Sequence, residues 1–146
     1  MQKQKGFTII ELIVVIAIIA VLAAIVLVNV TQYIAKGKDA SITGNLASVM
    51  TNAAVFYDTH SSTYTGLCTS ATVKAALDAV DATRGDTGKS ACNVDISETA
   101  TVGTTWAACA QLVNDKVNAL CVDSTGTKKT IAAATCVTAW TATVCP

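Results

Sequence analysis

Few side chains in this sequence are suited to chemistry, and they are unevenly spread. Glu11 is a lone carboxylate at the head of an apolar run that continues from Leu12 to Val28 without another charge. An ionised group in such a run is unfavourable enough that it marks a functional position with a partner. Six cysteines, Cys68, Cys92, Cys109, Cys121, Cys136 and Cys145, all lie downstream of that run. None forms a Cys-x-x-Cys pair and the only histidine is His60, so the set does not suit zinc. An even number of cysteines in a small exported domain reads instead as three disulfides. Spacing alone leaves many pairings open. Cys136 and Cys145 would close a short loop, stabilising by about 2.7 kcal/mol in the chain-entropy model, and that bond is the favoured one.

Enzymatic patterns are missing from the sequence. It holds no Gly-x-Ser-x-Gly elbow, no phosphate-cradling glycine loop and no histidine pair for a metal. The expectation is therefore a protein that is not an enzyme and needs neither metal nor cofactor. Asp123 begins an Asp-Ser-Thr-Gly turn too poor in oxygen ligands for calcium. Arg84-Gly85-Asp86 spells an integrin-binding triplet, but it sits in a polar, turn-rich stretch to Lys89 and reads more simply as a solvated turn. His60 reads as a helix-end residue, where a partial positive charge is tolerated.

The elements that must carry these residues begin with the apolar run. Its length fits a membrane-spanning helix of about 17–25 residues, and it exceeds the core of a secretory signal. Lys3 and Lys5 hold the N-terminus in the cytoplasm and place everything after Tyr33 outside. Downstream, Ile42, Leu46, Val49, Met50, Ala53, Ala54, Phe56 and Tyr57 continue at near-helical spacing, with Phe56 and Tyr57 expected in the core. No proline interrupts, since Pro146 is the only one, and Gly37 and Gly44 weaken a helix without ending it. The spacing predicts one helix from Phe7 to Tyr57, about 75 Å long.

Beyond His60 the pattern changes. Residues 61–66 read as a loop and Ala71 to Ala82 as a short helix with Val73, Ala76, Leu77 and Val80 on one side. Thr104–Val113 and Val117–Asp123 read as strands around an Asn114-Asp115-Lys116 turn, which sets Cys109 opposite Cys121. A cross-strand disulfide is one option there; pairing with Cys68 or Cys92 is equally allowed. Lys128 to Ala133 reads as a third strand. Trp106 is expected to pack on the long helix, and Trp140 to be more exposed. Large aliphatics are scarce after Tyr33, so the core is thin and disulfides are expected to supplement it.

Charge excludes one further class. Acidic and basic residues balance at ten each, and removing Lys3 and Lys5 leaves eight basic against ten acidic. That balance does not support nucleic-acid binding by bulk charge.

The segment Lys5-Gly6-Phe7-Thr8-Ile9-Ile10-Glu11-Leu12-Ile13 resembles the class III signal of type IV pilins and of the related type II secretion pseudopilins. The likeness runs from Lys5 to about Ile34. It implies an α+β fold in which a long N-terminal helix, membrane-spanning in its first half, packs on a small antiparallel sheet with disulfides. It implies cleavage by a prepilin peptidase between Gly6 and Phe7, N-methylation of Phe7, and assembly into a helical homopolymer through an assembly platform in the membrane. Glu11, with Thr8 beside it, is implied to pair with the new terminal amine, chiefly that of a neighbouring subunit, and so set axial register. A buried carboxylate is far less costly when so paired.

The implied layout is a leader at 1–6, a membrane and assembly helix at 7–30, an amphipathic helix at 31–60 and a head at 61–146. The head ends in a disulfide-bounded loop. The expected place is the bacterial cytoplasmic membrane before assembly, with the head outside, and the cell surface afterwards. A major pseudopilin of a secretion or competence system is the alternative, and a monomeric membrane-anchored surface binding protein a more distant one. Many pilins carry a glycine where this chain has Ala20 and a proline where it has Val28. With neither breaker present, the helix is expected to stay continuous in the filament.

Overall fold

The computed structural model describes residues 6–85, 90–95, 103–137 and 141–146, with Val28 and Val137 described in backbone only. The chain divides into two compact units, Met1–Ile34 and Ala35–Pro146. Helix α1 runs from Ile9 to Thr59, and its backbone stays helical at Ala20 and Val28. The long helix read from periodicity is therefore present, shifted by two residues at each end.

In the first unit, every described side chain of α1 is exposed. Successive residues Ile13, Val14, Val15 and Ile16 are each about half exposed, between 47% and 57%. A helix apolar all round is stable only inside a membrane or among other apolar surfaces. Among the described residues, α1 is the one helix long and apolar enough to cross a membrane.

In the second unit, Ile42, Leu46, Val49 and Ala53 recur at helical spacing, and all four are fully buried. They meet Val73, Ala76 and Val80 of α2 (Ala71–Arg84) and one face of a four-stranded antiparallel sheet. The strands are β1 (Ser90–Val94), β2 (Trp106–Gln111), β3 (Asn118–Asp123) and β4 (Lys128–Ala132), in that spatial order. Side chains alternate across the pleat. Trp106, Ala108, Ala110, Leu120 and Val122 face the helices. Cys109, Ala119, Cys121 and Ile131 form a second cluster with Ala133 and Cys136 of a short closing helix, α3 (Ala133–Val137). Both faces of the sheet are thus covered, which explains near-continuous burial along β2 and β3.

The expected α+β architecture, the β2–β3 hairpin, the following strand and the buried position of Trp106 match what was read. The structure adds β1, α3 and a short 3-10 turn at Leu67–Thr69. Trp140 and the triplet's Asp86 lie outside the described residues, as do Lys3, Lys5 and Lys89. Phe56 and Tyr57 sit at the margin of the core rather than within it. Phe56 stacks on His60 at 3.8 Å and Tyr57 meets Tyr64 at 4.8 Å.

Three polar devices fix the second unit. Asp39 of α1 accepts the Val113 and Asn114 N–H groups at 2.6 and 3.2 Å, holding the hairpin tip. Arg84, at the end of α2, donates to the Gln111 and Leu112 carbonyls at 2.6 and 2.9 Å. That guanidinium is spent on the fold. Gly103 donates its N–H to Thr65 Oγ1 at 2.8 Å and accepts the Tyr64 N–H at 2.8 Å. A Cβ there would stand 2.5 Å from Val94 Cγ1, so the close approach of these two loops requires glycine.

The disulfides correct the favoured pairing. The bonds are Cys68–Cys92, Cys109–Cys136 and Cys121–Cys145; Cys136–Cys145 is not formed. The register does set Cys109 opposite Cys121, yet neither bonds the other. The reason is layering: the C-terminal segment crosses the outer sheet face, so Cys136 and Cys145 each meet a strand cysteine. Loops of 24 to 27 residues also give about 3.5 kcal/mol per bond in the chain-entropy model, more than the short loop would.

Candidate functional site

The candidate site is the start of α1. Gly6, Phe7 and Thr8 precede the helix, which begins at Ile9, so the Gly6–Phe7 peptide bond lies in non-helical chain. Phe7 is 80% exposed. Thr8 is the N-cap and Glu11 the third helical residue, and the two bond reciprocally. The Thr8 N–H and the Thr8 hydroxyl both donate to Glu11 Oε2, at 2.8 and 2.7 Å. In return the Glu11 N–H donates to Thr8 Oγ1 at 3.3 Å. This is a capping box, which satisfies two backbone donors that a helix start leaves open. A carboxylate in the first turn also opposes the positive end of the helix dipole.

Sequence reasoning gave Glu11 the terminal amine, chiefly of a neighbouring subunit, as its partner and missed this local one. The pattern was legible as Thr-x-x-Glu immediately before an apolar run, the sequence mark of a helix start. The site therefore combines a non-helical peptide bond, a capped helix start and an apolar helix without a buried face. Its carboxylate is held by two donors on one oxygen, leaving Oε1 outside those bonds.

The first 27 residues match the family of the prokaryotic N-terminal methylation motif. The type IV major alpha-pilin of Moraxella bovis is 50% identical over 58 residues, covering 38% of this chain and 36% of that protein. Over that stretch the chain is similar to a type IV pilin. Fimbrial protein Q of the same organism is likewise 50% identical over 58 residues, or 37% of its length. The match thus spans little over a third of either relative. No solved structure is significantly similar to this chain.

Other residues weighed from the sequence belong to the second unit. His60 directly follows α1, as expected, with Nδ1 at 3.0 Å from the Phe56 carbonyl oxygen. Asp123 is buried and bound by its own turn. It accepts the Thr125 N–H and hydroxyl at 2.9 and 2.6 Å, the Thr127 N–H at 3.1 Å and the Cys145 N–H at 3.0 Å. Burial pushes its pKa up, but these donors outweigh it and hold the carboxyl below its ordinary value. Among the described residues, no three His, Cys, Asp or Glu side chains converge as metal ligands.

Proposed function

We propose that this protein is a structural subunit of a type IV pilus-like surface filament, a major pilin. The observation that carries the reading is the start of α1: a non-helical Gly6–Phe7 bond, then the Thr8–Glu11 cap, then a helix apolar all round. The match to the methylation motif and the two relatives, named as a major pilin and a fimbrial protein, support it. They also favour a pilus over a secretion pseudopilus.

In this reading residues 1–6 are a leader that a prepilin peptidase removes, and the new amine of Phe7 is methylated. The cut turns a neutral amide into a cation one residue from the cap. Glu11 Oε2 keeps the Thr8 donors while Oε1 accepts the amine of a neighbouring subunit. A charge paired in this way can enter an apolar core and fixes where along its neighbour each helix stops. Residues 7–30 hold the precursor in the cytoplasmic membrane and later line the filament core; 31–60 carry the head at 61–146. The partners are other copies of the chain, the peptidase and the assembly platform. The role is structural rather than enzymatic. With Ala20 and Val28 helical, the helix stays continuous on assembly.

The test is Glu11→Ala. Export and disulfide formation should proceed, while incorporation into filaments, measured in sheared surface fractions, should fall sharply. Normal incorporation would remove the register role.

A further inference from the structure

Among the described residues of the second unit, three large apolar side chains stay exposed: Val55, Val117 and Val144. Two of them mark opposite ends of this unit. Val117, 75% exposed, stands on the β2–β3 turn, and Asp39 of α1 holds that turn through the Val113 and Asn114 N–H groups. Arg84 brings the end of α2 to the same place through the Gln111 and Leu112 carbonyls. Val55, 58% exposed, lies near the other end of α1, in a groove of about 290 Å³. Its walls include Phe56 and Thr59 of α1 and Ser70 and Ala71 at the start of α2. The helix from Asp39 to Phe56 is about 25 Å long at 1.5 Å per residue, so one end presents an apolar knob and the other an apolar groove. Val144 belongs to the groove's own end. The N–H of Cys145 beside it bonds Asp123, and Asp123 lines one small cavity with Met50 and Ala53.

Charge follows the same polarity. The knob carries Asp115 and Lys116 directly before Val117. Asp58, next to Thr59, flanks the groove on the α1 side. The facing wall is the first turn of α2, which has no acidic residue, and the Ser70 hydroxyl bonds the Leu67 carbonyl instead of capping that turn. The groove thus sets a negative side chain on one wall against the positive end of a helix on the other. Lys116 and Asp58 are exposed, and neither has an ion-pair partner among the described residues. We propose that the β2–β3 turn of one subunit seats in the α1–α2 groove of the next, with Val117 against Val55 and Phe56, Lys116 beside Asp58, and Asp115 toward the first turn of α2. This contact rests on the filament reading and names the surfaces through which neighbouring heads meet. Knob and groove are different surfaces at opposite ends, so the contact is heterologous. Each added subunit leaves one of the two free, which builds an open filament rather than a closed dimer. Seating the knob also removes from water the two valines that a single subunit leaves exposed.

The experiment uses the full, unaltered chain in sheared surface filaments, treated with a water-soluble carbodiimide that joins an amine to a carboxylate in direct contact. Peptide mass spectrometry should recover Lys116 bonded to Asp58. Within one chain these residues lie at opposite ends of the unit, so that bond joins two copies. Filaments in which Lys116 bonds only other carboxylates, or none, would overturn the contact and leave the filament role standing. Absence of filaments would overturn the filament role and this contact with it. Charge reversal gives a second arm. Lys116→Glu and Asp58→Lys should each lower filament yield roughly fivefold, and the two together should restore it. Both positions are exposed, so thermal unfolding of each variant in detergent should match that of the unaltered chain. A double variant that assembles no better than either single one, with unfolding unchanged, would overturn the pairing of knob and groove.

Discussion

Replacing Asp123 by asparagine is expected to weaken the second unit strongly and to abolish a defined part of its pH dependence. The carboxylate is 3% exposed and accepts four hydrogen bonds, one of them from Cys145 in the C-terminal segment. Asparagine keeps the size but has a single acceptor oxygen. If that oxygen stays on Thr125 and Thr127, its NH2 group faces the Cys145 N–H, donor against donor. A buried N–H left unpaired costs about 1–3 kcal/mol, and the surviving bonds lose their charge assistance. Together the loss is about 2–4 kcal/mol, on the order of 10–20 °C in Tm for a domain of this size.

The pH dependence separates this account from a merely poorer fit. Because folding lowers the Asp123 pKa from 3.8, the stability it supplies is fully present above that unfolded value. It is lost as the pH falls through the lower folded value. Urea unfolding of the full, disulfide-intact chain in detergent, followed by tryptophan fluorescence, should show the two proteins far apart at neutral pH and converging in acid. Curves that stay parallel down to the folded-state pKa would refute the reasoning, because the difference would then not reside in the ionised form.

Two further substitutions test local geometry. Gly103→Ala places a methyl group 2.5 Å from Val94 Cγ1 and 3.1 Å from the Thr65 nitrogen, and should destabilise by about 1–3 kcal/mol in the same urea assay. Thr8→Ala removes the cap, worth about 1 kcal/mol or roughly a fivefold change, so the Glu11 amide in detergent should exchange that much faster while Thr8→Ser keeps its protection.

Much of the fold was legible because its strongest elements obey simple periods. Ile42, Leu46, Val49 and Ala53 declare one helical face, and the β-prone runs around Asn114-Asp115-Lys116 declare a hairpin. What stayed hidden depends on layering. Strand β1, Ser-Ala-Cys-Asn-Val, has weak strand propensity and exists because β2 offers it an edge. Helix α3 exists because a disulfide and the exposed sheet face hold it. The same crossing of the C-terminal segment decided the cysteine pairing, which proximity in sequence misjudged. Asp123 looked like a poor calcium ligand and is instead the acceptor that fastens Cys145. At the candidate site, Gly6, Phe7 and Glu11 stood out from the sequence. The bond between Thr8 and Glu11 is spelled in the same residues as a Thr-x-x-Glu helix start.

Cleavage of the Gly6–Phe7 bond is the step on which the filament role depends. Intact-mass and N-terminal peptide analysis of the subunit recovered from sheared surface filaments tests it directly. The expected chain begins at Phe7, carries one added methyl group on its amine and retains three disulfides. A surface-assembled chain that still begins at Met1 would contradict it.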